Sequence, residues 1–214
     1  MRICDIVWIN HAQPEFAQAV EYAVGTVGVK VINVSLGVFA GVVMKQMKNA
    51  INMAYDAGVI VVCAAGNHVN SVVAPAKLRR TVAVGGITRT DAAWAGSSYG
   101  GEVDFSAPAA DLRRASTRRR DKFGYGAGGD GTSYATAITT GAAALWLAHR
   151  RADIANAYPQ PWQRVAAFTQ LARSTARVPA IWSPGAFGMG ILDIEALLNA
   201  PLPPADALAP DAPV

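Results

Sequence analysis

The stretch GVIVVCAAGN, residues 58–67, sets seven consecutive apolar residues between a glycine and a Gly-Asn pair. β-Branched residues dominate it and no charge interrupts it, so it predicts a short strand covered on both faces, as in a parallel sheet. Immediately upstream, GVVMKQMKNAINMAYDAG (41–58) places Val43, Met47, Ala50, Ile51 and Ala54 on one stripe. That spacing predicts an amphipathic helix stopped by Gly58 as its C′ residue. Before it, VKVINVSL (29–36) reads as a second buried strand ending at Gly37. Downstream, TVAVGG (81–86) reads as a third, and EVDFSAP (102–108) as a fourth with alternating side chains. The opening of the chain continues the pattern. A strand over 3–9 leads through a loop at Asn10–Gln13 into a helix PEFAQAVEYAV, with Pro14 in its first turn.

Strands separated by amphipathic helices imply a three-layer α/β architecture, an open and mostly parallel sheet with helices on both faces. Further helices are expected from 133 to 149, near 162–173 and near 193–199. Residues 1–200 form one domain in this reading. The remainder, PLPPADALAPDAPV (201–214), is rich in Pro and Ala without a core pattern and reads as a linker or frayed end.

With 214 residues, 52% of them apolar and 16% charged, the chain suits one well-buried domain and not a disordered one. Its net charge of +4 includes five arginines within RRASTRRR (113–120). That run lacks the interleaved aromatics of a nucleic-acid patch and reads as a solvated face or loop. No apolar run reaches the length of a membrane span. The opening MRICDIVWINHA has neither the basic n-region nor the cleavage site of a signal peptide, so the compartment stays open. Cys4 and Cys63 lie in strand-like runs and read as free buried thiols.

In open α/β sheets, sites gather beyond the carboxyl ends of the strands. Three features lie there: Ser35-Leu36-Gly37, Ala64-Ala65-Gly66-Asn67, and the glycine turn GDGTS ahead of the small-residue helix YATAITTGAAALWLA. Ser133, taken alone, is either a helix cap or a nucleophile. A helix N-terminus has unpaired N–H groups and favours a developing anion. A serine hydroxyl placed there can attack a carbonyl while its own N–H steadies the oxyanion, and the Asn67 amide is in place to give a second donor.

In order and wording, VINVSLG, GVIVVCAAGN, TVAVGG, SSYGGEVDFSAP, GTSYATAITTGAAAL and FGMGILDIEAL resemble the C-terminal half of a subtilisin-like serine protease. The resemblance implies a subtilisin-like fold, incomplete at its N-terminal side, and hydrolysis of peptide bonds through an acyl-enzyme on Ser133. It implies Asn67 as the oxyanion-hole amide. It makes Ser35, Leu36 and Gly37 one wall of the substrate cleft, pairing with peptide backbone as an added strand. Ala64, Ala65 and Gly66 form the opposite wall, where glycine makes room for a large apolar side chain. The turn at Asn10–Gln13 falls in the region for residues farther upstream on the peptide. Relatives are often secreted and often bind calcium, yet no acidic cluster fixes a metal site and no cofactor is expected.

The sequence departs from that family twice. Where the family usually has proline and then histidine after the serine helix begins, this chain has Ala137 and Ile138. The Asp-Ser/Thr-Gly and His-Gly-Thr motifs that carry the other triad members do not occur. Of the three histidines, His149 lies 16 positions after Ser133, roughly 24 Å along a helix, and is excluded as its base. His11 and His68 are the remaining candidates. The expected partners are therefore a peptide or protein substrate and a segment outside this chain carrying Asp and His. A non-catalytic relative that keeps a peptide-binding cleft is the alternative. A remote third reading takes GAGGDGTS (126–133) as a phosphate-binding loop, although Thr132 stands where such a loop needs lysine.

Overall fold

A computed structural model describes residues 13–38, 42–119 and 122–214. The expected strand 3–9, Cys4, His11 and most of the loop at Asn10–Gln13 lie outside the described residues.

Four parallel strands form the main sheet: β1 (Val31–Val34), β2 (Ile60–Ala64), β3 (Val82–Ile87) and β4 (Phe105–Pro108), side by side in chain order. Val62 registers between Asn33 and Val82, and Val84 opposite Phe105. The apolar run of β2 is buried throughout, and its side chains divide by the period of two that a strand requires. Ile60 and Val62 face one core, with Trp146, Phe168 and Leu197. Val61, Cys63 and Ala65 face the other, with Met47, Ile51 and Phe16. A sheet with a separate apolar core on each face is the three-layer architecture expected.

On the second face lie α1 (Gln13–Tyr22) and α2 (Lys45–Asp56). The predicted stripe of α2 is borne out by the burial of Met47, Ala50, Ile51 and Ala54. Gly58 follows it at φ +71°, the left-handed conformation that glycine adopts most easily. Arg164 donates to Gly58 O at 2.6 Å and Ala57 O at 2.7 Å, placing a cation where the helix dipole favours one. The first face is covered by α3 (Thr132–His149), α5 (Pro161–Ser174) and α7 (Ile194–Asn199). The shorter α4 (Arg151–Ala157) and α6 (Pro184–Phe187) connect them.

Two segments differ from the sequence reading. Residues 114–119 of the arginine run form one strand of an antiparallel ribbon, β5 (Arg114–Arg119) with β6 (Lys122–Gly126), a solvated face at Arg113 and Arg114 and not a loop. The tail 201–214 is neither free nor frayed. Leu208 is buried against the α5 side, Tyr158 Oη donates to Pro203 O, and Gln163 Nε2 donates to Ala205 O. Beyond it the buried Arg80 donates to Asp211 O at 2.8 and 3.0 Å while pairing with Asp56 and stacking on Tyr55.

Candidate active site

The carboxyl ends of β1 and β2 and the start of α3 meet in one place. Ser133, half-buried in the first turn of α3, donates from Oγ to Ser35 O at 3.2 Å. Ser35 Oγ returns a bond to Ser133 O at 3.1 Å and accepts one from Asn33 Nδ2 at 2.9 Å. Thr140, two turns along α3, holds Asn33 Oδ1 at 3.1 Å. This chain of polar contacts fixes β1 to the helix that carries Ser133.

Asn67 is oriented from the other side. Its Oδ1 accepts from Thr132 N at 2.9 Å, and Thr132 Oγ1 lies 2.9 Å from the same oxygen. Thr132 is fully buried, and its hydroxyl also accepts from Gly66 N at 3.2 Å. With the carbonyl end of the amide engaged, the Nδ2 donors turn outward. A Cβ placed on Gly131 would stand 3.4 Å from Asn67 Nδ2 and 3.8 Å from Ser133 N. Both nitrogens thus lie near one point beside Gly131, as does Asn67 Oδ1 at 3.9 Å.

The first-turn amides of α3 agree with this placement. Helices leave their first N–H groups without internal acceptors. Here Thr132 N goes to Asn67 Oδ1 and Tyr134 N to Gly131 O, with Ser133 N between them in the chain. Within GAGGDGTS, Gly131 N donates to Ala109 O at 2.8 Å and is thereby withdrawn from any phosphate cradle.

The other predicted positions fall as follows. Ser35, Leu36 and Gly37 are exposed beyond β1. Ala64 and Ala65 are buried in the sheet, so they contribute backbone to the opposite wall; Ala65 O accepts from Val73 N at 2.9 Å. The space expected beside Gly66 is not open: at φ +113° its free side meets Ser98 Oγ and both methyl groups of Val73. His68 is not brought to Ser133. Its ring packs edge-on against Trp94 with centroids 5.5 Å apart, and the His68 backbone N–H donates to Gly96 O. Among the described residues, no imidazole lies within hydrogen-bonding distance of Ser133 Oγ. Sequence reading missed the orienting role of Thr132, although the residue stands in the GTS triplet itself, and it missed Val73, which no local pattern marks.

Among the described residues no three His, Cys, Asp or Glu side chains gather as metal ligands. A cavity of about 270 Å³, lined in part by Leu78, Thr81, Glu102, Asp104 and Arg173, includes none of the candidate site residues. The Arg173 guanidinium lies 3.7 Å from Asp104, so a cation of the chain itself faces that side chain. Burial pushes Asp104 up to about 7, against the opposing pull of the Ala83 N–H and Arg173. Burial likewise raises the Cys63 thiol, a free and inert core residue. Among the described residues no helix is long and apolar enough to cross a membrane.

A three-layer α/β protein with a serine and an asparagine amide converging at the carboxyl ends of its parallel strands is the class defined so far. The chain belongs to the subtilase family, whose sequence model matches residues 11–190. It is 36% identical over 141 residues to the thermophilic serine proteinase of Bacillus sp. (strain AK1), an alignment that covers 65% of this chain and 33% of that protein. To subtilisin E of Bacillus subtilis (strain 168) it is 35% identical over 133 residues, covering 60% and 33%. The chain thus aligns with about a third of the length of these relatives. Among solved structures, the prenylagaramide maturation protease PagA superposes with a TM-score of 0.73 at 25% identity, covering 89% of this chain and 68% of that one. The patellamide maturation protease PatA gives 0.73 at 26%, covering 89% and 69%.

Proposed function

We propose that this chain carries the nucleophile and oxyanion half of a serine endopeptidase. The reading rests on one observation above all: Asn67 Nδ2 and Ser133 N lie 3.4 and 3.8 Å from one point beside Gly131, at the start of the helix that carries the Ser133 hydroxyl. Such fixed donors in a partly desolvated site favour the charge that develops on a carbonyl oxygen under attack. Ser133 Oγ adds to the scissile carbonyl, and the tetrahedral oxyanion sits between Asn67 Nδ2 and Ser133 N. Collapse releases the amine half of the peptide and leaves an ester on Ser133, which water then hydrolyses.

A histidine must take the Ser133 proton and pass it to the leaving amine, and an aspartate must hold that histidine. We assign both to a segment outside this chain, because the family motifs for them are absent from it. In its present setting the hydroxyl is bonded to Ser35 O, an acceptor that cannot remove its proton. That is why this chain alone is expected to be inactive. The exposed backbone at Ser35-Leu36-Gly37 supplies an edge for an extended peptide, with Ala64, Ala65 and Gly66 opposite.

The test is hydrolysis of a fluorogenic peptide by the chain supplied with the Asp- and His-bearing segment. Ser133→Ala is expected to lower kcat by several orders of magnitude, about 10⁶-fold if the loss matches that of the nucleophile in subtilisin, a member of the same family. Full kcat in that variant would remove the assignment. Peptide binding without hydrolysis in any form would instead favour a non-catalytic cleft.

A further inference from the structure

The two glycines on opposite walls of the cleft present their open sides to the same side chain. A Cβ on Gly37 would overlap Val73 Cγ2 and stand 3.1 Å from Val73 Cβ. A Cβ on Gly66 would stand 2.9 Å from Val73 Cγ1 and 3.2 Å from Val73 Cγ2. Val73 therefore lies between the ends of β1 and β2, where the sequence led us to expect room. Backbone bonds hold it from both directions. Val73 N donates to Ala65 O at 2.9 Å, while Ala74 and Val38 exchange N–H···O bonds of 3.1 and 2.9 Å. The side chain is 7% exposed and β-branched, so it has little rotamer freedom to swing aside. Ser98, fully buried, closes the remaining space beside Gly66, its Oγ 2.8 Å from that Cβ position.

We infer that Val73 is the floor of the slot for the residue preceding the scissile bond and limits that residue to glycine, alanine or serine size. This deepens the protease reading above and rests on it. The cleft lies against the oxyanion volume, because Gly66 adjoins Asn67 and Ser35 touches Ser133. A side chain entering between Gly37 and Gly66 meets the Val73 methyl groups at once. A large side chain must displace a packed residue that is pinned by main chain on both sides, which close-packed interiors resist.

The experiment uses the chain supplied with its Asp- and His-bearing segment and peptides that differ only before the scissile bond, with Ala or Phe there. The wild type is expected to favour Ala over Phe in kcat/KM by roughly 10–200-fold, the range a hydrophobic pocket achieves. Val73→Gly should raise the Phe-to-Ala ratio of kcat/KM at least about tenfold, reversing or erasing the preference. Val73→Ala, which perturbs the fold least, should move the ratio in the same direction by less, with its melting temperature recorded alongside. A second readout needs no triad: calorimetric binding to this chain alone of cleavage-product peptides ending in Ala or Phe, with the same order of preference expected. Equal cleavage of Ala and Phe by the wild type, or an unchanged ratio in both variants, overturns the role of Val73 and leaves the protease reading standing. If no form cleaves or binds any peptide, the protease reading falls and this inference with it.

Discussion

The two walls of the cleft are built to different standards. On the β2 side every residue of the strand is buried, and Gly66, Asn67 and Thr132 are locked together by hydrogen bonds within the chain. On the β1 side Val31 and Ile32 are half-buried, Asn33 is exposed, and β2 is the only partner of the strand among the described residues. The difference teaches which half of the chemistry is self-supporting. The donors proposed to steady an oxyanion sit on elements positioned by the core itself. In the proposed function, the contribution from outside this chain is the aspartate and the histidine, and β1 is the less covered of the two walls.

The sharpest way to break this comparison is at Asn67. In the complemented protein, Asn67→Ala is expected to lower kcat by about 10²–10³-fold with little change in KM, the magnitude established for such a donor in subtilisin. Thr132→Val, which removes only the hydroxyl beside Asn67 Oδ1 and leaves the Thr132 N–H in place, should lower kcat by roughly tenfold. Thr132→Ser should restore it. If Thr132→Val instead raised KM and left kcat alone, the β2 wall would be binding substrate and not orienting a donor.

How far the sequence foretold this asymmetry depends on where each contact comes from. The β2 strand and its asparagine were legible because an uninterrupted apolar run between glycines is a local signal. The α2 stripe was legible through its helical period. Residues 201–214 misled because their anchors are tertiary: Arg80 binds the main-chain carbonyl of Asp211, which any residue in that position supplies. The β5–β6 ribbon misled because charge conceals pairing. Arg113 and Arg114 are exposed, as a solvated face requires, and also lie over Tyr125 and Tyr134. Val73 reads as one more apolar residue in NSVVAPA, and its place beneath two glycines follows only from the path of residues 68–74 back across β1 and β2.

A smaller effect should separate the site from the frame behind it. The folded-state pKa of Asp104, about 7, lies above the ordinary carboxylate value of 3.8. Between those values the folded chain holds a proton that the unfolded chain releases, so stability falls as pH rises from about 4 to about 7. Asp104→Asn removes that fall while keeping an acceptor for Ala83 N, which Asp104 bonds at 2.8 Å. The variant should therefore gain melting temperature relative to the wild type on going from pH 4 to pH 8, by a difference on the order of 1–4 kcal/mol in stability. Its kcat should not change. Parallel pH curves for the two proteins would show that Asp104 is not held neutral, and a drop in kcat would tie the cavity to the cleft.

The central claim is that this chain holds a nucleophile whose base lies elsewhere. The most direct measurement is labelling of Ser133 by a fluorophosphonate probe, on the chain alone and on the chain joined to the segment bearing the Asp and His motifs. The expected result is labelling of the joined form only, abolished by Ser133→Ala. Equal labelling of the isolated chain would place a base within it, and absence of labelling in both forms would reduce the cleft to a binding surface.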